Sequence, residues 1–303
     1  MNYLEILKKS MKITWKHKSM WFFGILIAIL GSGGSSPQLQ YIFRGRDFTP
    51  QNTGRFAQQI KQPFNFLTPQ IIIAILLISF VFVIAGVVLQ YVSRGALIGM
   101  VNDVETVGGT QIGRGFKHGW STWLRLFGIS IFIWIPFAII FLLVFGILFL
   151  PVILAFIKQR EVFGFALLFL SSLIFMVCLV IAIALLTLTH SFAERFCVLE
   201  KRQLFESIIE GYRLFRSNPG STLLMWLLML VINMGIAMVT GVIFILPIIF
   251  GFFPNVSSLL AIVLLLPIVI AFVFAGGIYR TFVFTVWTLF FQELKNVAVP
   301  VKT

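Results

Sequence analysis

The chain has 303 residues, 59% of them hydrophobic and only 11% charged, with a formal net charge of +13. That balance excludes an ordinary soluble domain, which needs far more polar surface to cover its core. It also argues against nucleic acid as a partner: the Lys and Arg flank long apolar runs, where they set membrane topology first.

Residues 3–17 read as a helix along the membrane surface. Tyr3, Leu4, Leu7, Met11, Thr14 and Trp15 share one side, while Glu5, Lys8, Lys9, Lys12 and Lys16 share the other. Such a helix lays its apolar face in the acyl boundary and its ammonium groups against anionic headgroups. A short first span is expected over 19–35. The basic start, apolar stretch and small residues there could suggest a cleaved leader, but the basic part is long and amphipathic and no A-x-A pattern follows.

An outer loop of 36–68, without a motif, leads to a second span over 69–92. A second surface helix is expected over 110–120, with Ile112, Phe116, Trp120 and Trp123 on its apolar side and Arg114, Lys117 and His118 facing away. Span three is placed at 122–149. The apolar run continues to 156, too long for one crossing, so Pro136 is expected to kink it and Pro151 to end it.

Span four covers 162–189, and a third surface helix 202–217. Leu204, Phe205, Ile208, Tyr212 and Phe215 form its apolar side; Arg202, Glu206, Glu210 and Arg213 form the polar one. Spans five and six follow at 221–246 and 257–280, and the tail 281–294 is expected to continue as a helix in the surface layer.

The order of surface helix, outward span and return span thus occurs three times. Ser10-Met11-Lys12, Gly115-Phe116-Lys117 and Gly211-Tyr212-Arg213 align as small, large apolar, basic, each about ten residues before a span. Of the 23 Lys and Arg, 17 fall on the side holding both termini, which predicts N-in and C-in. The fold class is therefore an all-α membrane protein. It forms one integral domain over 1–303, a six-transmembrane-helix bundle of three pseudo-repeated hairpins.

Chemistry is sparse. His17, His118 and His190 stand apart in the sequence, and no metal, nucleophile-elbow or phosphate-loop motif occurs. Cys178 and Cys197 lie too far apart along one helix to form a disulfide. No span centre carries a charge; Asn233 is the most polar deep residue and suits an interhelical hydrogen bond. Ala237 with Gly241, and Ala271 with Ala275, suggest close helix contacts. His190, Glu194 and Arg195 form the most polar cluster at a span end, with His190 and Glu194 one turn apart. Lys8, Lys9, Lys12, Lys16, Arg114, Lys117 and Arg213 are the candidate headgroup contacts.

The opening Trp15-Lys16-His17-Lys18-Ser19-Met20-Trp21-Phe22-Phe23-Gly24, the glycine-rich turn after it, Arg94-Gly95-Ala96-Leu97-Ile98, and Phe196-Cys197-Val198-Leu199-Glu200 before a surface helix carry a resemblance. The chain resembles uncharacterised bacterial multi-pass membrane proteins similar to the membrane domain fused to some glycerophosphodiester phosphodiesterases. The resemblance implies a six-helix domain in the bacterial cytoplasmic membrane. It brings no catalytic site, because the enzymes' barrel domain is absent. The expected role is a non-enzymatic interaction, regulatory or membrane-organising module without cofactor, in contact with anionic lipid and with room for a membrane-protein partner. The alternative is a transporter or permease for an apolar or lipid-like substrate.

Overall fold

The computed structural model describes residues 2–31, 69–158, 161–251 and 258–298. The outer loop 36–68 and the end of the expected first span, 32–35, lie outside the described residues. Every described element is an α-helix: α1 (Tyr3–Lys16), α2 (Ser19–Gly31), α3 (Pro69–Val107), α4 (Ile112–Ile157), α5 (Glu161–Leu199), α6 (Leu204–Ser217), α7 (Pro219–Gly251) and α8 (Ser258–Ala298). Among the described residues, α3, α4, α5, α7 and α8 are long and apolar enough to cross a membrane, and α2 is a shorter apolar helix of 13 residues.

Several helices run through boundaries that the sequence suggested. The 46 residues of α4 form one helix of about 69 Å, more than twice a hydrocarbon core. The segment 110–120 is therefore not a separate surface helix, because from Ile112 onward it forms the first turns of α4. Pro136 and Pro151 both lie inside α4 and do not end it. A membrane helix tolerates proline because local adjustments of the backbone and neighbouring groups re-satisfy the freed carbonyl. Likewise α5 continues ten residues past the expected end at 189, whereas the helical continuation of α8 through 281–294 is as expected.

These overruns have one cause: each long helix has an apolar half without protein around it and a half packed against other helices. On α3, 70–85 is exposed, including Ile71, Leu76, Phe80 and Phe82, whereas Val92 and Ala96 to Ile98 are buried. Leaving such a run in water would be unfavourable by tens of kcal/mol, on the order of 1.5–3 kcal/mol per large side chain. Lipid removes that penalty. The protein is a multi-pass membrane protein in its helices and composition alike.

The packed half holds the core. Phe23 and Met20 of α2, Leu97 and Met100 of α3, Leu188 and Phe192 of α5, and Phe290 and Phe291 of α8 meet there. The tail 281–294 thus belongs to the core and not to the surface layer. Thr281, Thr285 and Thr288 are buried on α8 by returning their hydroxyls to carbonyls one turn back. A side chain that satisfies itself locally can enter a core without a partner.

The helices approach closely through glycines other than the expected ones. A Cβ on Gly119 would stand 2.1 Å from the Val92 carbonyl oxygen, and Gly95 faces Thr122 and Gly119 from the opposite helix. By contrast, Ala237, Ala271 and Ala275 are exposed and nothing lies within 4 Å of a Cβ on Gly241. Those small residues do not mark close contacts.

Packing partners follow an order. α3, α5 and α8 touch one another; α1 packs on α8, the start of α4 on α3, and α6 on α5. α2 lies against both α3 and α8, and α4 against both α3 and α5. α7 stands further from α5 and α8 than its counterparts stand from their neighbours, and a cavity of about 380 Å³ lies between the three.

Candidate functional site

The surface helices bury different faces from those their wheels suggested. On α1 the face against the protein is Ile6, Ser10, Ile13 and Thr14, with Tyr3 and Leu7 beside it. Leu4, Met11 and Trp15 are exposed, next to the exposed Lys8, Lys12 and Lys16. The hydrophobic side is therefore split between protein and surroundings. At the start of α4 the buried face is Gly115 and Gly119, leaving Ile112, Phe116 and Trp120 exposed beside Arg114 and Lys117. On α6, Ser207, Gly211, Leu214 and Phe215 are buried, whereas Phe205, Ile209 and Tyr212 are exposed near Arg213. Phe215, expected on the same apolar side as Phe205 and Tyr212, instead packs inward.

The three aligned triplets share one environment. Ser10, Gly115 and Gly211 are buried; Met11, Phe116 and Tyr212 are about half exposed; Lys12, Lys117 and Arg213 are exposed. A small residue lets each helix approach the bundle, and its two neighbours then point outward as an apolar and a cationic pair. Two of the candidate cations have carboxylate partners. Lys9 pairs with Glu105 of α3 at 2.5 Å, and Arg213 with Glu210 at 2.8 Å. In the α1–α2 connection, burial first and the charge of Lys16 second hold the His17 imidazole below its ordinary pKa.

The cluster His190, Glu194 and Arg195 is drawn together, with members the local spacing did not reveal. Glu194, 4% exposed, accepts a hydrogen bond from Nη1 of Arg94 on α3 at 3.0 Å. His190 Nδ1 lies 3.7 Å from the same carboxylate oxygen, and its Nε2 shares a hydrogen bond of 2.9 Å with Ser130 Oγ of α4. Glu194 thus faces the expected His190 and, by a shorter contact, Arg94. Arg195, 2% exposed, donates through Nη1 to the Ser191 carbonyl and lies 6.0 Å from the ring of Phe284 on α8. The Nε atoms of Arg94 and Arg195 are buried without a hydrogen-bond partner. Arg280 of α8 lies near enough to Arg94 for the two charges to repel.

Asn233 makes the interhelical contact expected of it. It accepts a hydrogen bond from the Tyr279 hydroxyl of α8 and donates to the Met229 carbonyl at 2.8 Å. It is not sealed away, because it lines the cavity between α5, α7 and α8, along with Thr187, Ser191, Trp226 and Trp287. His118 is not isolated in space: its Nε2 lies 3.2 Å from Asp103. Cys178 is exposed and Cys197 buried on the same helix, both as free thiols. Among the described residues no group of three or more His, Cys, Asp or Glu is placed to hold a metal ion.

The sequence pattern of one family, described as a family of unknown function (DUF7544), matches residues 18–303, and the chain belongs to that family. No curated protein matches the chain. No solved structure matches it.

Proposed function

We propose that this member of the DUF7544 family is a non-enzymatic, membrane-organising module of six spans that holds anionic lipid against its cytoplasmic face. In this reading α2 completes a crossing with residues beyond 31, both termini are cytoplasmic, and three pseudo-repeated hairpins each begin with a basic amphipathic segment, the second of them continuous with its span. The membrane is the bacterial cytoplasmic one. The resemblance to membrane domains fused to glycerophosphodiester phosphodiesterases fits a module that works beside a membrane-protein partner.

The observation that carries the reading is the common environment of the three triplets, buried small residue beside exposed apolar and exposed cationic ones. An exposed Met, Phe or Tyr next to a Lys or Arg suits the boundary between acyl chains and anionic headgroups, where each cation contributes about 1 kcal/mol. The test is the lipid retained by the full chain after purification in mild neutral detergent. Phosphatidylglycerol should be enriched over phosphatidylcholine, and Lys8→Gln, Lys12→Gln, Lys16→Gln, Arg114→Gln, Lys117→Gln and Arg213→Gln together should abolish the enrichment. Equal retention of both lipids by the unaltered chain would sink the reading.

A second reading, transport of an apolar or lipid-like substrate, is favoured by the cavity at Asn233. Labelled lipid should then redistribute between leaflets of proteoliposomes at a rate proportional to protein content. Rates equal to protein-free vesicles reject it.

A further inference from the structure

A single face of α7 borders a cavity. Trp226, Met229, Leu230, Asn233, Met234 and Ala237 recur at helical spacing and line the space of about 380 Å³ between α5, α7 and α8. From 226 to 237 that wall runs about 16 Å along the helix axis, the depth of one leaflet in a hydrocarbon core of about 30 Å. The volume lies within the range of sites that hold small molecules.

The lining is apolar at depth and carries spare hydrogen-bond donors toward one end. Trp226 lies near the expected start of its span at 221, and Ser191 and Trp287 lie just beyond the expected ends at 189 and 280. These three therefore sit at the level of the membrane interface, where tryptophan is enriched. Trp287 is only 8% exposed, yet its indole N–H has no hydrogen-bond partner among the described residues. The hydroxyls of Thr187 and Ser191, one turn apart on α5, have none there either, whereas Thr189 between them returns its own to the Leu185 carbonyl. Unmade hydrogen bonds are costly where no water reaches them. Deeper in, Asn233 is engaged with Met229 and Tyr279, and Met234 and Ala237 complete the wall. Methionine adapts its shape to an apolar chain. None of the residues lining the cavity is charged, so an ionised ligand group would be buried there unpaired.

We infer that this cavity binds a neutral single-chain acyl ester of the monoacylglycerol class. Its glycerol and ester oxygens meet Thr187, Ser191 and Trp287, and its chain runs along Met229, Met234 and Ala237. The inference deepens the transport reading by naming what the cavity holds, and it requires no movement of that ligand between leaflets. Binding and movement are therefore measured separately, and a protein that binds the ester without redistributing lipid rejects transport alone.

The test uses the full chain in phosphatidylcholine nanodiscs and a monolauroylglycerol with a diazirine on its acyl chain, crosslinks being mapped by mass spectrometry. Labelling should saturate, fall on 226–237 of α7 and on the facing turns of α5, and be displaced by plain monolauroylglycerol. Laurate at pH 9, being ionised, should displace it about tenfold more weakly or worse. Ala237→Trp fills the cavity from an exposed position, so it should abolish the labelling and leave the unfolding temperature unchanged. Thr187→Val with Ser191→Ala keeps the shape, removes two donors and should weaken binding about tenfold. If Ala237→Trp lowers the unfolding temperature, the double variant alone decides. Labelling that does not saturate, or that spreads evenly over exposed apolar residues such as Leu76 and Phe80 of α3, overturns the site. So does labelling unchanged by the variants. Laurate displacing the probe as well as the ester does overturns the neutral head.

Discussion

At the scale of single residues, Glu194 is the most consequential position in the polar centre. It neutralises part of the charge of Arg94 and Arg195, and its carboxylate is 5% exposed. Glu194→Leu should lower stability by roughly 3–5 kcal/mol, because buried cations lose their counter-charge. The readout is thermal unfolding in detergent. Arg94→Leu added to Glu194→Leu should recover part of the loss, whereas independent losses would show that the pair is uncoupled. Gly119 gives a steric counterpart. Gly119→Ala places a methyl against the Val92 carbonyl and should destabilise by about 1–3 kcal/mol as α3 and α4 separate. Gly113→Ala, with nothing within 4 Å, is the matched control and should be neutral or slightly stabilising. Neither Glu194's Arg94 partner nor the Gly119 contact could be read from sequence spacing. Arg94 lies 100 positions from Glu194, and only the packing of α3 on α5 joins them.

At the scale of elements, periodicity identified helices correctly but misjudged what they face. An amphipathic wheel separates polar from apolar and cannot divide apolar residues between protein and lipid. On α1 that left Ile6 and Ile13 unassigned, although they form the buried side, and assigned Leu4, Met11 and Trp15 correctly only as outward-facing apolar residues. The 281–294 segment failed for a related reason, since a helix apolar on every side suits a core as well as a surface layer. Continuity of α4 was hidden because 110–120 is amphipathic and reads as a surface helix of its own, whereas Gly115 and Gly119 serve a close helix contact. The packing of α1 can be tested without substitution. Lys9 and Glu105 are 2.5 Å apart, so a zero-length carbodiimide should join α1 to α3 in the native protein. Peptide mapping should find that link and none from Lys12, which is exposed without an ion pair among the described residues. Absence of the Lys9–Glu105 link under conditions that modify other carboxylates would contradict the placement of α1.

At the scale of the whole molecule, the packing order and the charge distribution point to one arrangement. The start of α4 lies on α3, α6 on α5, and α1 on α8. The packed half gathers Lys8, Lys12, Lys16, Lys117 and Arg213 at its exterior, while the exposed apolar halves of α3, α4 and α5 extend away from it. Translocating that many cations is unfavourable, so the packed half should remain in the cytoplasm and the apolar halves cross the bilayer. Six crossings would put the segments near Thr110 and Phe205 and the C-terminus in the cytoplasm, and those near Pro50 and Arg160 on the opposite side. Single-cysteine labelling of intact cells with a charged, impermeant maleimide measures this directly. The natural thiols should not interfere, because Cys197 is buried and Cys178 is exposed only along the apolar half of α5, which lipid covers. Cysteines at 50 and 160 should label without permeabilisation, and those at 110, 205 and 303 only after it. Label at 303 in intact cells would remove the even span count. Because the positive face and the packed core are the same half of the molecule, it would also reverse the side on which the surface-helix cations face headgroups.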